Sequence, residues 1–339
     1  MKVLLTGHNG YIGSVMSAKL QEAGHDVVGL DTNFFADCNL GVPPRILEIK
    51  KDIRDVTISD LEGFDAIIHL AALSNDPMGE INSSLTYDIN LYATLKLAER
   101  AKYGAGVGRF IYASSCSIYG AGDGDEVLNE GSPLAPITHY AMSKAFAEAG
   151  LALLADSSFS PVFMRNATIH GYSPRMRTDL VLNTMVAHAY TTGAVTVTGD
   201  GMLWRPIVHV DDVCNAFILA LEAPREVVHN QAFNIGSRNY RVKEIAEIVS
   251  GVTGCKINYV DGGKDARSYR VGFDKISERL GFTENWGATD SAVELTAAYG
   301  FISFHNRFDD GLYNRLAQLK KLSADGLIDQ QFYWSRNED

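Results

Sequence analysis

Tyr140 and Lys144 stand four residues apart in the run Tyr140-Ala141-Met142-Ser143-Lys144. On a helix that spacing sets a phenol and an ammonium on one face, where both can point into one cleft. A nearby ammonium favours the phenolate. Lys144 is therefore expected to draw the Tyr140 pKa toward working pH and make it a base for a hydroxyl proton. The pair alone also fits an ordinary helix surface, so a second feature has to decide. It lies at the start of the chain, where Thr6-Gly7-His8-Asn9-Gly10-Tyr11-Ile12-Gly13 carries glycines at intervals of three. Gly7 permits a tight turn, Gly10 lets backbone approach a pyrophosphate, and Gly13 allows a helix to pack closely on a strand. The helix N-terminus then faces the negative charge. Asp31 follows Gly13 by eighteen residues. An acid there accepts hydrogen bonds from a ribose 2′-hydroxyl and repels a 2′-phosphate, which favours NAD over NADP. Capping a turn is its plainer role.

These groups need a scaffold. Apolar runs at residues 2–5, 26–30, 66–70 and 109–113 alternate with helical spacing at 12–23 and 91–102. Apolar strands alternating with helices predict a parallel sheet covered on both faces. The expected fold is α/β, a Rossmann-like doubly wound sheet with a smaller C-terminal substrate-binding lobe. Pro133 and Pro136 precede a long helical segment at 140–154, and a strand follows at 161–165. Residues 1–170 are expected to form the dinucleotide domain, with about 205–235 returning to it. Residues 171–339 are expected to form mainly the lobe and a C-terminal helix. Leu312, Leu316, Leu319 and Leu322 suit a helix docked on the body or on a partner subunit.

The bulk numbers bound the rest. The chain has 339 residues, 46% of them hydrophobic and 21% charged, ordinary for a globular protein with a real core. A net charge of −11 argues against nonspecific binding to nucleic acid. Cys38, Cys116, Cys214 and Cys255 form no CxxC pair, so neither a disulfide framework nor a zinc pattern is present, and a reducing compartment fits. The first apolar run is too short for a signal peptide, and no other run is long enough to span a bilayer. The expectation is a cytoplasmic protein with no metal, nucleic-acid or membrane partner.

With the glycine loop and the Tyr-Lys pair together, the chain resembles the short-chain dehydrogenase/reductase superfamily, and within it the extended branch of NAD-dependent nucleotide-sugar epimerases and dehydratases. Further motifs carry the resemblance: Asp52-Ile53-Arg54-Asp55, His69-Leu70-Ala71-Ala72, Ser114-Ser115-Cys116-Ser117-Ile118-Tyr119-Gly120, and Arg205-Pro206-Ile207-Val208-His209-Val210-Asp211-Asp212. The resemblance implies roles. Ser115, Tyr140 and Lys144 would be catalytic. Gly7, Gly10, Tyr11, Ile12, Gly13 and Asp31 would hold the cofactor, with Asp52 and Ile53 at the adenine and Leu70, Ala71 and Ala72 along the nucleotide path. Asn90 would support the active site, and Lys144 would also hold the nicotinamide ribose. Ser74, Cys116, Ser117 and Thr168 would line the substrate, with Arg205 on the phosphates of a nucleotide-diphosphate sugar. Arg267 or Arg270 would add a second contact, with solvated surface charge as the plainer reading. A homodimer through the helices at 91–102 and 140–154 is also implied.

The resemblance also narrows the chemistry. Dehydratases of this branch carry Thr-Asp-Glu or Thr-Ser-Glu where this chain has Ser115, Cys116 and Ser117. Elimination needs a base beside the carbonyl and an acid for the leaving hydroxyl, and no carboxylate stands there. A 4,6-dehydratase and a decarboxylase are therefore disfavoured. Redox at one carbon is left, as a C4 epimerase passing through a keto sugar or as a 4-ketoreductase, and Asp31 tilts the choice to the epimerase. A catalytically silent NAD sensor and a reductase of non-sugar ketones are rival readings. The chain departs from the branch at Arg165-Asn166-Ala167-Thr168, where Thr168 stands in place of an asparagine. Arg175 and Arg177 are two further cations suited to a carboxylate, phosphate or diphosphate. Cys116 and His170 could act as extra acid/base groups; a buried thiol and a core histidine are the plainer readings.

Overall fold

The computed structural model describes residues 1–79, 82–121, 126–262, 268–300 and 311–335. Its main sheet contains β1 (Lys2–Thr6), β2 (Asp26–Asp31), β3 (Leu47–Lys50), β4 (Ala66–His69) and β5 (Arg109–Ser115). The short β6 (Val127–Leu128) lies outside it, and β7 (Ser160–Asn166) rejoins it. Then come β8 (Thr168–His170), β9 (Ala194–Thr198), β10 (Trp204–His209), β11 (Gln231–Ile235), β12 (Arg238–Arg241), β13 (Lys256–Val260) and β14 (Arg270–Val271).

Seven strands form the main sheet in the order β11-β7-β5-β4-β1-β2-β3, and every pairing in it is parallel. The order reverses between β1 and β4, which opens a crevice at the carboxyl ends of the strands, the usual ligand site of such sheets. Alternation along the strands divides the core. Leu4 and Ile67 face a cluster with Phe110, Tyr112 and Leu151. Their neighbours Val3, Leu5, Ala66 and Ile68 face Met16, Leu20 and Phe217 on the other side. Both faces are buried, so the strands read as continuous apolar runs.

The lobe is built on a three-stranded sheet, β12-β10-β8, and a third apolar cluster containing Met185, Val186, Ile207, Ile245 and Leu295. The chain returns from the lobe to the main sheet through the helix Val210–Glu222 and β11. One feature differs from the sequence reading and one refines it. The helix expected at 91–102 is interrupted by π-helical turns at Asp88–Tyr92 and Arg100–Ala105. The C-terminal helix Arg315–Ala324 docks on the body, and on the sheet domain rather than the lobe. Its Leu319 and Leu322, with Ile328 and Phe332 beyond it, join the cluster that holds Phe34 and Ile53. Among the described residues no helix is long and apolar enough to cross a membrane.

Candidate active site

The loop after β1 makes close backbone packing obligatory. Gly7 has φ +74°, and a Cβ on it would sit 2.8 Å from the Ala71 nitrogen. A Cβ on Gly13 would lie 2.1 Å from the Gly7 oxygen, so the helix Tyr11–Glu22 approaches the loop where no side chain fits. That helix has no acidic residue in its first turn and no side-chain cap, which leaves its N-terminal N–H groups facing outward for an anion. The Tyr11 hydroxyl donates to the Gly171 carbonyl at 2.7 Å and ties the helix start to the lobe.

One cleft gathers most of the residues singled out in the sequence. Gly7, Gly10, Tyr11, Ile12 and Gly13 line it together with Asp31, Asp52 and Ile53, as do Leu70, Ala71, Ala72, Ser74 and Arg177. This cradle of glycines with an acid at the end of β2 fits a dinucleotide. The Asp31 carboxylate accepts the Asn33 N–H at 2.8 Å and the Asn9 N–H at 3.0 Å. Burial raises its pKa, and those two N–H groups oppose the rise. Other lining residues gave no signal in the sequence. Thr32, Phe34 and Phe35 follow Asp31 on a loop, and Arg315 comes from the far C-terminal helix.

Tyr140 starts the helix His139–Leu153, whose N-cap Thr138 accepts the Ala141 N–H. Thr138 also donates its hydroxyl to Asp76. The Ser115 hydroxyl, at the end of β5, lies close to the Tyr140 phenol and lowers its pKa. Burial raises the Tyr140 pKa to about 12, and the Asp76 carboxylate adds to the rise. The Ser115 hydroxyl and the Arg177 charge work against it. This corrects the expectation for Lys144. Its Nζ donates to the Ala113 carbonyl at 2.8 Å and lies 5.9 Å from the Tyr140 ring centroid. Burial lowers the Lys144 pKa to about 7, against the pull of Glu148. Arg177 is the cation that lowers the phenol's pKa, while Lys144 lies over the face of the ring.

The remaining residues divide. Arg177 is paired with Asp179 at 2.9 Å and donates to the Ser74 hydroxyl at 3.1 Å, which sets it at the Tyr140 end of the cleft. Arg175 is turned the other way. Its guanidinium donates to the Ala36 carbonyl and Asn39 Oδ1 in the loop after β2 and reaches Asn9 Oδ1 at 3.3 Å, so it braces the Asp31 end instead of meeting the Tyr140 site. Asn90 does not line the cleft. Its Oδ1 accepts the Leu73 N–H at 2.8 Å and its Nδ2 donates to the Ser143 hydroxyl at 3.2 Å, clipping the loop after β4 to the Tyr140 helix. Thr168 is carried off on β8 beside β10. Asn166 is the residue paired with Ser115, and its Oδ1 is buried without a partner. Cys116 is buried and donates to the Arg165 carbonyl, and burial raises its pKa. Ser117 follows it in the same short turn, with its N–H on the Ser115 hydroxyl at 3.2 Å. His170 is fully buried, and burial lowers its pKa to about 3, so it stays neutral. Arg205 lies on β10 in the lobe, next to Trp204, over which Arg270 stacks at 5.2 Å. Arg267 lies outside the described residues.

Residues 3–236 match the family described as NAD dependent epimerase/dehydratase. A UDP-glucose 4-epimerase of Corynebacterium glutamicum is 29% identical over 89% of this chain and 96% of its own. A dTDP-glucose 4,6-dehydratase of an Actinoplanes species is 28% identical over 88% of this chain and 98% of its own. Among solved structures, MoeE5 in complex with UDP-glucuronic acid and NAD superimposes with a TM-score of 0.78 at 27% identity, covering 89% of this chain and 99% of that one.

Proposed function

This chain belongs to the NAD dependent epimerase/dehydratase family, and from that premise we propose that it is a nucleotide-sugar epimerase inverting C4 through a transient keto sugar. The observation that carries the reading is the buried phenol of Tyr140, on which Ser115 and Arg177 act, Arg177 being part of the wall of the glycine-loop cleft. The turn after Ser115 supports it. Cys116 points its thiol into the protein and Ser117 bears no carboxylate, so the turn offers no base for elimination.

Bound NAD would supply a reversible hydride acceptor for the sugar carbon. The protein supplies the proton chemistry and the grip. Tyr140 takes the hydroxyl proton and later returns it, and Ser115 orients the phenol and the sugar oxygen. Burial holds the phenol protonated in the cofactor-free protein, so it serves as the base in its phenolate form. Gly7, Gly10 and Gly13 would cradle the cofactor diphosphate, Asp31 would take the ribose hydroxyls, and Asp52 and Ile53 would bound the adenine. Lys144 would hold the nicotinamide ribose. Arg205 and Arg270, on the lobe, would take the diphosphate of the sugar nucleotide. The cofactor domain is residues 1–170 with the return at about 205–235, and the C-terminal helix belongs to it as well. The protein acts in the cytoplasm, which four unpaired, buried cysteines support. It pairs as a homodimer through exposed apolar side chains at and around the two helices: Tyr92, Tyr103, Phe146 and Leu153.

Asp76 favours a second reading. It opens the short helix Asp76–Gly79 after β4, acts on Tyr140, and is a carboxylate at a place the sequence did not mark. Such a group could take the proton that the missing glutamate would take, which would make the enzyme a dehydratase. The test is incubation with UDP- and dTDP-hexoses without added reduced cofactor, followed by mass and stereochemical analysis. The expected product is an isomer of unchanged mass, formed by the wild type and not by Tyr140→Phe, which still binds NAD. A product lighter by one water establishes the second reading. A reduced product that appears only with added NADH establishes a ketoreductase. Full activity in Tyr140→Phe overturns the site.

A further inference from the structure

Arg315 opens the C-terminal helix, yet it lies on the wall of the glycine-loop cleft and is only 2% exposed. One Nη donates to the Arg175 carbonyl at 2.9 Å, and the guanidinium lies 4.5 Å over the Phe35 ring. The other nitrogen, Nη1, is buried and has no hydrogen-bond partner. Among the described residues no carboxylate forms a salt bridge with Arg315; Asp179 acts on it from a distance but is paired with Arg177. Burial lowers the Arg315 pKa to about 10, so it is still a cation at neutral pH. A buried guanidinium with a vacant donor and no salt-bridge partner among the described residues is unfavourable in itself, and an anion with several acceptor oxygens relieves it.

The same cleft holds the open N-terminus of the helix Tyr11–Glu22, the other feature in it that calls for an anion. Asp31 lines the cleft too, its carboxylate held by the Asn9 and Asn33 N–H groups. The tail that carries Arg315 is fastened to that wall. Trp334 Nε1 donates to the Thr32 carbonyl at 2.6 Å and its ring packs 5.4 Å from that of Phe34. Arg54 donates to the Gln331 carbonyl at 2.8 Å.

We propose that Arg315 is a ligand of the dinucleotide's diphosphate, so that the C-terminal helix completes the cofactor site begun by the glycine loop. The assignment rests on the dinucleotide reading of the cleft. Its test is titration calorimetry and thermal melting of wild type and Arg315→Met with NAD, ADP and adenosine. A charge-assisted hydrogen bond lost from a diphosphate should weaken NAD and ADP by about tenfold or more. Adenosine, which has no phosphate, should change by less than about twofold by the same argument. Without ligand the variant should melt no lower than wild type, because an unpaired buried cation has been replaced by an apolar chain. Arg315→Gln, which keeps a donor for the Arg175 carbonyl, should give the same pattern. Unchanged NAD affinity overturns the assignment. So does an equal loss for adenosine and ADP, or failure of both variants to fold, since each makes Arg315 a purely structural residue. A wild-type protein that binds none of the three ligands sinks the dinucleotide reading itself.

Discussion

Burial moves Tyr140 and Lys144 in opposite senses, and in both cases toward the uncharged form. The phenol rises to about 12 and the ammonium falls to about 7. The consequence for Lys144 can be measured in the cofactor-free protein. Its folded pKa is below the ordinary lysine value of about 10.4. Between the two values the unfolded chain binds more protons than the folded one, so stability rises with pH across that window. Below about pH 7 both states are protonated and the cost of the buried charge is at its full value. Lys144→Met should therefore melt higher than wild type at pH 7, and the gain should fade toward pH 10. A gain that is flat with pH contradicts a depressed lysine. The sequence placed these two residues together but could not show what Lys144 touches. Its contact with the Ala113 carbonyl depends on how β5 lies under the helix, which is a matter of packing and not of spacing.

At the scale of elements, the glycine loop was the most legible part of the chain, because its constraint is local. Backbone atoms already occupy the space a Cβ on Gly13 would need. Gly13→Ala should therefore push the first helix off the loop. Overpacking of this kind costs roughly 1–3 kcal/mol, and NAD affinity should fall by at least about tenfold. Calorimetry beside a thermal melt checks both, and wild-type affinity in the variant would show that the close approach is not needed. The strands of the first half were legible for a related reason, since a strand buried on both faces is a continuous apolar run. The edge strand β3 was not, because three of its four residues are exposed and carry no such run. Arg175 and Arg177 show the same limit at the site. Two arginines one residue apart read alike in the sequence, and only the fold sends one to the loop after β2 and the other toward Tyr140.

At the scale of the molecule, the exposed face of the Tyr140 helix is the clearest unfinished surface. Leu153 is 87% exposed and Phe146 53%, while the opposite side of the helix is packed on the sheet. A double substitution, Phe146→Glu with Leu153→Glu, should turn a dimer into a monomer in analytical ultracentrifugation with little change in thermal stability. A wild type that sediments as a monomer rules out the pairing. The other long-range feature is the return of the C-terminal segment to the sheet domain, where Arg54 meets Phe332 across 278 residues of chain. Translation delivers these partners in a fixed order. The glycine loop and Asp31 leave the ribosome early, and domains begin to fold as they emerge. The wall that Arg315 and Trp334 supply comes last. A nascent chain therefore carries half a nucleotide site, with the apolar flank around Phe34 and Ile53 bare, for most of its synthesis. Chains cut short before the final helix would keep that flank exposed and become ready substrates for chaperones and proteases.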